Sequence, residues 1–400
     1  MARKNSSRAA QGAGTIRKKT VTRSGREYVY WEARITVGYD PGTGKQIQRS
    51  FSGKTQKEVR EKMQAAAVEL NNGTYQAPSK LTVAQWLDIW AAEYLGNVKQ
   101  GTAFLYCQQI RLHIKPRMGS IKLEALTAPA IQSFYNSLLA ERDGKPALSA
   151  KSVRNIHGIL HRALQQATAI GYLRFNPADA CVPPKVVNKE IAPLDEVQTS
   201  AFLKVIEGHP HELLYKVTLF TGLREGEVLG LMWDCIDFER GTVTVKRQLR
   251  KDQQKGGGYY LSTPKNGKPR TLTPAPWVMR LFKLQRAKQT EQRLKVGPMW
   301  QDSGMVFTND LGGYLSYRTV YDCFKRIVAK LGIPQARFHD LRHSYAVAAL
   351  LAGDDIKTVQ DNLGHATAAF TLDVYGHVTD QMKRASADRM EQYIKRVSEA

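Results

Sequence analysis

The sequence is poor in cysteine, has fewer acidic than basic residues and contains no long hydrophobic run. Its four cysteines, Cys107, Cys181, Cys235 and Cys323, lie far apart and form no C-x-x-C pair or other zinc-ligand spacing. No segment approaches the roughly 20 apolar residues of a membrane span, and no apolar region follows the basic N terminus as in a signal peptide. A G-x-x-x-x-G-K-[ST] nucleotide-binding loop is also absent. We therefore expect a reduced intracellular protein that is neither exported nor membrane-inserted and has no structural metal.

Basic residues are what the sequence has in excess. Its 400 residues include 59 Lys and Arg against 36 Asp and Glu, a formal net charge of +23 at pH 7. With 42% hydrophobic and 9% aromatic residues, the chain can bury ordinary cores and is long enough for two or three domains. Such a charge predicts a polyanionic partner, because each Lys or Arg that neutralises a phosphate releases a condensed counterion. Ribosomal, membrane-surface and nucleic-acid-enzyme functions all remain open on charge alone.

Residues 1–78 are interpreted as a basic tail followed by a small β domain. Residues 1–26 hold eight basic and no acidic residues, which predicts a solvated segment or one that lies along phosphates. Two β-rich runs, residues 28–37 and 45–51, predict a hairpin, and a capping box begins a helix over residues 55–72. A sheet backed by one helix suits a module that lays strands in a DNA groove. A small β domain with a solvated basic face is the alternative.

The rest of the chain changes from helical to mixed structure. Residues 79–180 are predicted to form a helical bundle of about four helices, because apolar residues recur at helical spacing. Residues 181–190 contain paired prolines and are predicted to be a linker. Residues 191–400 combine helices with a short β section, in which residues 271–273 are predicted to pair with residues 259–261. The predicted fold is therefore multidomain α+β: a small N-terminal β-sheet plus helix domain, an all-α helical-bundle domain, and a mainly α C-terminal domain with a small antiparallel sheet.

Four segments of the C-terminal domain place a charged or nucleophilic side chain at a break in secondary structure. The first is T-G-L-R-E-G-E, in which a helix ending at Gly222 is followed by one that begins near Arg224. An arginine at a helix N terminus favours an anion, since the backbone donors and the helix dipole attract the same charge. An ordinary surface pair between Arg224 and Glu227 is the alternative.

The second segment is the turn T-P-K-N-G-K around Lys265. A lysine on a tight turn can reach a ligand, and it can donate a proton when desolvation and neighbouring cations lower its pKa. Lysines in turns are usually only solvated, however, and Lys268 could serve equally well. This segment alone does not indicate a site.

The third segment, R-F-H-D-L-R-H-S-Y, places His339 and Arg342 three residues apart on one face of a helix. The pair combines a titratable group with a guanidinium fork that matches phosphate oxygens. His339 and His343 also have the i, i+4 spacing of a zinc-binding helix. The zincin pattern requires Glu after the first His, however, and Asp340 occupies that position here. We therefore expect no metal at this segment.

The fourth segment is L-G-H, which ends at His365 and is followed ten residues later by Y-G-H, which begins at Tyr375. Gly364 is predicted to end a helix and to place His365 at the next turn. A tyrosine with an ordinary pKa of about 10 is a poor nucleophile unless a base and cations lie nearby. His339, Arg342 and His365 could supply both. Alternatively, Tyr375 packs in the core and His365 caps a helix.

Taken together and in this order, the four segments resemble the tyrosine recombinase (phage integrase) family. The matching stretches are TGLREGE around Arg224, TPKNGK around Lys265, HDLRHSYA from His339 and LGHATAAFTLDVYGHV from Leu363. Each motif alone is unspecific, but the set is highly specific. The resemblance covers the C-terminal domain closely. The two preceding modules look like the arm-binding and core-binding domains of the integrase branch, and residues 191–400 like its catalytic domain.

The resemblance implies a transesterification of DNA that needs neither a metal nor a cofactor. Six side chains would carry it: Tyr375, Arg224, Lys265, His339, Arg342 and His365. The tyrosine would attack the scissile phosphate, forming a 3′-phosphotyrosyl bond and freeing a 5′-hydroxyl. The two arginines would clamp the non-bridging oxygens, and the lysine would protonate the leaving 5′ oxygen. His339 would act as the base for the tyrosine, and His365 would donate a hydrogen bond to the phosphate.

The resemblance also implies partners and a cellular role. The chain would integrate and excise a phage genome or other mobile element in the cytoplasm of a bacterial host, at the nucleoid. It would act as a homotetramer on double-stranded DNA that carries core-type and arm-type attachment sites, with an excisionase and a host DNA-bending protein as accessory partners and no membrane. A helix predicted over residues 380–397 would dock on a neighbouring protomer, as in the family. A simple intramolecular helix is the alternative.

Two other functions compete with this interpretation. A type IB-like topoisomerase or a resolvase would share the phosphate chemistry, but neither needs a second DNA site, so the N-terminal module argues against both. A non-catalytic DNA-binding regulator would share the fold. The presence of all six residue types of the catalytic set argues against the regulator.

Overall fold

The computed structural model describes residues 14–39, 42–72, 80–141, 144, 146–187, 193–252, 257–264, 267–364 and 379–398. The chain divides into two compact units, residues 1–187 and residues 188–400. Sheets in both units are antiparallel, and helices form most of the structure. This architecture confirms the predicted α+β fold class.

The first unit begins with a three-stranded antiparallel sheet in the order β1-β2-β3. Its strands are β1 (Thr15–Arg23), β2 (Arg26–Tyr39) and β3 (Gln46–Gly53). Helix α1 (Gln56–Asn71) packs on β2 and β3, with Val59 and Ala66 buried on the helix and Ala33 and Ile35 buried on β2. Thr55 begins the helix, because its side chain accepts a hydrogen bond from the backbone of Glu58. The predicted hairpin and helix are confirmed.

The prediction of a tail was wrong for residues 15–23, which form strand β1. Ser24 and Gly25 adopt φ angles of +49° and +76° and connect β1 to β2 in a two-residue turn, whose twist suits a hairpin. The strand was not predicted because the many basic side chains indicated a solvated segment. The Thr, Ile and Val residues between them, which favour a strand, were not taken into account. In the structure, Arg17 and Lys19 form ion pairs with Glu32 on β2. Residues 1–13 lie outside the described residues.

The remainder of the first unit is a helical bundle. Its long helices are α2 (Val83–Glu93), α3 (Gln100–Gln109), α5 (Ala128–Leu138) and α6 (Ala150–Ala169). A π-helical turn, Ile110–Ile114, joins α3 to the short helix α4 (Lys115–Met118). Trp86 and Trp90 of α2 are buried in the bundle core with Leu160 and Leu164 of α6. The predicted bundle of about four helices is confirmed.

The second unit packs helices around a large hydrophobic core, a smaller separate hydrophobic cluster and a small β section. Its α-helices among the described residues are α7 (Glu196–Val205), α8 (Glu212–Thr221), α9 (Glu225–Leu229), α10 (Pro276–Val296), α11 (Tyr317–Lys330), α12 (Asp340–Leu351), α13 (Ile356–Leu363) and α14 (Thr379–Ser398). The strands are β4 (Ile236–Asp237), β5 (Thr242–Val245), β6 (Gln248–Lys251), β7 (Tyr259–Ser262) and β8 (Arg270–Leu272). Helix α12 lies against α8 and α13. This packing brings together the ends of three helices that carry candidate residues.

The predicted pairing of residues 271–273 with residues 259–261 was wrong. Strand β7 pairs with β6, and β8 pairs with β5. Strands β5 and β6 form one arm of a long hairpin, and β7 and β8 form the other. Gln248 pairs with Ser262 and Val245 pairs with Arg270, so the segment between β7 and β8 contains more residues than the segment between β5 and β6. Gly267 donates its backbone N–H to the carbonyl of Pro264. These two residues lie between β7 and β8, which pair with other strands and not with each other.

The C-terminal helix α14 confirms the helix predicted over residues 380–397. Four apolar side chains on it are about half exposed: Met390, Tyr393, Ile394 and Val397. Among the described residues, no helix combines the length and the apolar character that crossing a membrane requires.

Candidate active site

Arg224 lies at the break between α8 and α9, as the sequence predicts. Helix α8 ends at Gly222, whose φ of +64° is left-handed. A Cβ on this glycine would lie 2.4 Å from the ring of Tyr345 on α12 and 2.6 Å from Leu363 on α13. Glycine is therefore required here both for conformation and for close packing. The next helix, α9, begins directly after Arg224.

Arg342 of α12 is buried, with 1% of its surface exposed. Its guanidinium donates to the carbonyl of Gly222 at 2.7 Å and to the carbonyl of Leu363 at 2.6 Å. These bonds connect the C-terminal ends of α8 and α13, where unpaired carbonyls give a helix its negative pole. Burial of a permanently charged arginine is costly without such partners. The geometry therefore holds one positive charge in a fixed, largely desolvated place.

Arg224 also binds the end of α13. Its guanidinium donates to the carbonyl of Gly364 at 3.2 Å and to Oε1 of Glu227 at 2.8 Å, and its backbone N–H donates to Oε2 of Glu227 at 3.0 Å. The Arg224 side chain is 23% exposed, whereas the Glu227 side chain is completely buried. The alternative of an ordinary surface pair is therefore wrong.

Glu227 also binds a second arginine, Arg270 of β8. The two side chains form a bidentate pair with N–O distances of 2.9 and 2.6 Å. Burial alone would raise the pKa of Glu227, but hydrogen bonding to Arg270 and the charges of Arg270 and Arg224 lower it to about 2. Arg270 also donates through Nε to the carbonyl of Asn362 at 2.9 Å. Three arginines thus bind the carbonyls of Asn362, Leu363 and Gly364.

His339 and His343 lie beside this arginine cluster. Their rings are perpendicular, with centroids 4.9 Å apart. The His339 side chain is accessible to solvent, but the surrounding protein and the charges of Arg342 and Arg224 lower its pKa to about 4. Burial is also the main reason that the pKa of His343 is lowered to about 4. Both rings are therefore neutral at pH 7, and a neutral imidazole can accept a proton.

Three of the six predicted site residues lie in the described part of the chain, and the structure brings these three together: Arg224, His339 and Arg342. Lys265, His365 and Tyr375 lie outside the described residues, and their roles stay predictions. Gly364, the residue before His365, has the predicted left-handed φ of +63° at the end of α13.

Sequence reasoning missed two members of the cluster. From the sequence, Glu227 was considered only as a surface partner of Arg224 at i+3 spacing, and its burial was not predicted. Arg270 was not singled out, since its carboxylate partner lies 43 residues earlier and nothing local distinguishes it from a solvated arginine. Its place in a short strand beside apolar Leu272 was the only available signal.

Comparison with known proteins gives consistent results. Residues 193–382 match the phage integrase family, and residues 82–139 match the N-terminal SAM-like domain of phage integrases. A protein of Caldanaerobacter subterraneus named tyrosine recombinase XerC-like is 28% identical over 392 residues, which cover 94% of this chain and 98% of that protein. The ICEBs1 integrase of Bacillus subtilis is 24% identical over 388 residues, which cover 90% and 96% of the two chains.

Solved structures show the same fold. A Tn1549 transposon integrase in complex with transposon right end DNA superposes with a TM-score of 0.65 and 24% identity, over 78% of this chain and all of that one. A lambda integrase tetramer bound to a Holliday junction superposes with a TM-score of 0.52 and 20% identity, over 87% and 96% of the two chains. With the motif order, the arginine cluster and the family matches in agreement, the chain belongs to the tyrosine recombinase (phage integrase) family and is a site-specific DNA recombinase of the integrase type.

Proposed function

We propose that the arginine cluster binds the scissile phosphate of DNA and that Tyr375 attacks this phosphate. The observation that carries the proposal is the convergence of Arg224 and Arg342 on the carbonyls that end α13, immediately before the segment that contains His365 and Tyr375. Two fixed guanidinium groups suit the charge that develops on the non-bridging oxygens in the transition state. Their partners are already in place, so little reorganisation is needed when the phosphate binds.

The two arginines would contribute differently. Arg224 is the more accessible, so one of its N–H groups can exchange a carbonyl partner for a phosphate oxygen. Arg342 is held by two carbonyls in a buried position and would act through its charge, which is screened less there than in water. A lysine at either position would keep the charge but lose the fork.

The proposed reaction conserves the number of phosphodiester bonds. The Tyr375 oxygen forms a bond to phosphorus while the bond to the 5′ oxygen breaks. The tyrosine proton passes to His339, and Lys265 supplies a proton to the leaving 5′ oxygen. In the reverse direction, the 5′-hydroxyl of another strand attacks the phosphotyrosine and restores a phosphodiester. No external energy source is needed, because the covalent intermediate retains the bond energy. His365 would donate a hydrogen bond to the phosphate.

We further propose that three DNA-binding parts follow the predicted limits: residues 1–78, 79–180 and 191–400, with residues 181–190 as a linker. In the helical domain, α3 and α6 line a common groove. Apolar residues such as Leu105, Tyr106 and Ile159 contribute to it, and its polar and basic side chains are Thr102, Gln109, Ser152, Arg154, Asn155 and Arg162. Side chains of this kind on a helix can contact base edges and phosphates in a major groove. This groove is the proposed contact for core-type sites.

The N-terminal sheet is the proposed contact for arm-type sites. Strand alternation places Glu32 and Arg34 on the face opposite the buried Ala33 and Ile35, which pack towards α1. Arg17, Lys19 and Arg34 surround Glu32 on this face. A basic sheet face can lie in a DNA groove, and a second DNA site on the same chain raises the effective concentration of the first.

The biological setting is proposed from the relatives. The Tn1549 transposon integrase and lambda integrase are among the solved structures with this fold, and the lambda integrase is a tetramer bound to a Holliday junction. We infer that this chain integrates and excises a mobile element as a homotetramer on DNA, with an excisionase and a DNA-bending protein as accessory partners. It would act in the cytoplasm of a bacterial host, at the nucleoid, and α14 would dock on a neighbouring protomer through its half-exposed apolar face.

The test is covalent adduct formation on nicked duplexes tiled from the DNA that flanks the gene, without metal or ATP. Wild type should form protein–DNA adducts that survive SDS, and Tyr375→Phe should form none. Tyr321→Phe, which alters an exposed tyrosine on α11, is the matched control and should behave as wild type.

Other outcomes would favour other functions. Tight, salt-sensitive binding without adducts would favour the non-catalytic regulator. Relaxation of supercoiled DNA without joining of separate sites would favour the topoisomerase. Adducts that persist in Tyr375→Phe would place the nucleophile elsewhere.

A further inference from the structure

Arg270 is the least expected member of the arginine cluster. It is the first residue of β8, and its side chain is 13% exposed. Its side chain donates two hydrogen bonds to Glu227 and one to the carbonyl of Asn362. A Cβ on Gly364 would lie 3.0 Å from its Cδ. Arg270 is therefore packed against the end of α13, although it is not one of the six residues of the catalytic set.

The carboxylate of Glu227 is shared by two arginines. Oε1 accepts from both guanidinium groups, at 2.8 Å from Arg224 and 2.9 Å from Arg270. Oε2 accepts from the Arg224 backbone and from Arg270, at 3.0 and 2.6 Å. Four bonds fill the acceptor capacity of a carboxylate. The bidentate pair with Arg270 fixes the plane of the carboxylate, and that plane in turn fixes the position of Arg224.

The charges give Arg270 a second effect. A buried pair of Glu227 and Arg224 alone would be neutral, and a phosphate would have to compete with the carboxylate for the guanidinium. With Arg270 present, two positive charges share one negative charge, which leaves a net charge of +1 on the three groups. The bidentate partner satisfies Glu227, so Arg224 keeps its attraction for an anion.

We propose that Arg270 is a positioning residue for the phosphate clamp: it holds and neutralises Glu227, so that Arg224 presents its charge to the scissile phosphate. The proposal rests on the proposed function of the site. Arg270 also joins β8 to the end of α13, so it links the strand that follows Lys265 to the residues that precede His365. Its action is on Arg224 and not on the DNA directly.

The experiment compares single-turnover cleavage of two nicked duplexes by wild type, Arg270→Gln and Arg270→Lys. One duplex has an ordinary phosphodiester at the crossover position, and the other has an uncharged methylphosphonate there. Arg270→Gln should cleave the phosphodiester about 10- to 100-fold more slowly than wild type, a typical effect for a group that orients a ligand of the reacting centre. Arg270→Lys should fall between them, since it keeps the charge but not the bidentate geometry.

The methylphosphonate duplex distinguishes a positioning role of Arg270 from a general loss of enzyme structure. It lacks the charge that Arg224 stabilises, so the difference between wild type and Arg270→Gln should shrink to less than about threefold. DNA affinity, measured separately, should change little in either variant. Arg247→Gln is the matched control, because Arg247 pairs with Asp234 outside the cluster, and it should leave both rates unchanged.

A double variant keeps the proposal testable if Arg270→Gln does not fold. Glu227→Gln with Arg270→Gln removes both charges, so no unpaired buried carboxylate remains. We expect it to fold. If Arg270→Gln folds as well, the double variant should cleave the phosphodiester faster than the single one, since nothing then competes for Arg224. If Arg270→Gln does not fold, the double variant is compared with wild type, and its loss of rate should again be confined to the phosphodiester duplex. An equal loss on both duplexes, or a double variant slower than the single one, would overturn the proposal. Absence of any adduct with wild type would instead refute the proposed function.

Discussion

In the described part of the chain, two carboxylates pair with more than one basic side chain, one in each compact unit. Glu227 lies in the arginine cluster of the second unit with its side chain fully buried and its partners 13% and 23% exposed. Glu32 lies on the N-terminal sheet with 9% of its side chain exposed, but each of its three partners is more than a third exposed. The two clusters use the same residue types at very different degrees of burial.

The difference in burial indicates that the arginines of the two clusters have different functions. On the sheet, Glu32 orients side chains that stay in contact with water, so the cluster is expected to bind DNA with a strong dependence on salt. Around Glu227, solvent is largely excluded, the interactions are screened less and the positions are fixed. We infer that the exposed cluster contributes to affinity and the buried one to catalysis.

The largest expected effect is on stability when each carboxylate is neutralised. Glu227→Gln leaves two partly buried arginines without their counter-ion and should lower the free energy of unfolding by about 3–5 kcal/mol. Glu32→Gln breaks mostly exposed pairs and should cost less than about 1 kcal/mol. Urea unfolding of both variants measures the difference. Equal losses would show that burial does not distinguish the clusters.

The next largest effect is a dependence of the free energy of unfolding on acidic pH, which we expect from the cluster around Glu227. The pKa of Glu227 is lowered from 4.5 to about 2, so its stabilisation is complete above pH 4.5 and is lost as the pH falls towards 2. The shift corresponds to about 3 kcal/mol. Subtracting the unfolding free energies of Glu227→Gln from those of wild type, between pH 5 and 2.5, should reveal this loss. A difference that does not change with pH would contradict the assigned shift.

His343 should add a second dependence on pH, at higher pH. Burial lowers its pKa from 6.5 to about 4, so the unfolded chain binds its proton first. Stability is therefore full above pH 6.5 and declines as the pH falls to 4, by at most about 3 kcal/mol. His343→Asn should flatten the unfolding free energy across this range. An unchanged slope would show that the ring is protonated in the folded protein.

The smallest expected effect concerns DNA binding by the exposed cluster. Arg17→Ala and Arg34→Ala should each reduce the slope of log K against log salt by about 1 on arm-type DNA, as loss of one phosphate contact does. Cleavage of a nicked core duplex should not change. Equilibrium binding at several salt concentrations measures the slope. If cleavage fell while the slope stayed constant, the division between affinity and catalysis would be wrong.

Local signals explain most of what the sequence predicted correctly. The glycines that end α8 and α13 are visible in the sequence because a left-handed cap favours glycine, and they mark Arg224 and the segment after Gly364. The bundle was predictable because its apolar residues recur at helical spacing. In these cases the physical cause lies within one turn of the residue concerned.

The errors have non-local causes. Strand β1 was mistaken for a tail, because the groups that pair with its charges lie on another strand. The pairing of β7 with β6 depends on a change of register that no turn signal encodes. Arg270 differs from a surface arginine only because the folded chain places Glu227 of α9 and the carbonyl of Asn362 on α13 within hydrogen-bonding distance of its side chain.

The central claim is that Tyr375 attacks a phosphate held by the arginine cluster, and peptide mapping of the covalent adduct tests it most directly. After nuclease and trypsin digestion, mass spectrometry should find the residual nucleotide on the peptide of residues 358–383. This peptide contains a single tyrosine, Tyr375. Fragmentation should place the phosphate on that side chain. A nucleotide on any other residue would contradict the account.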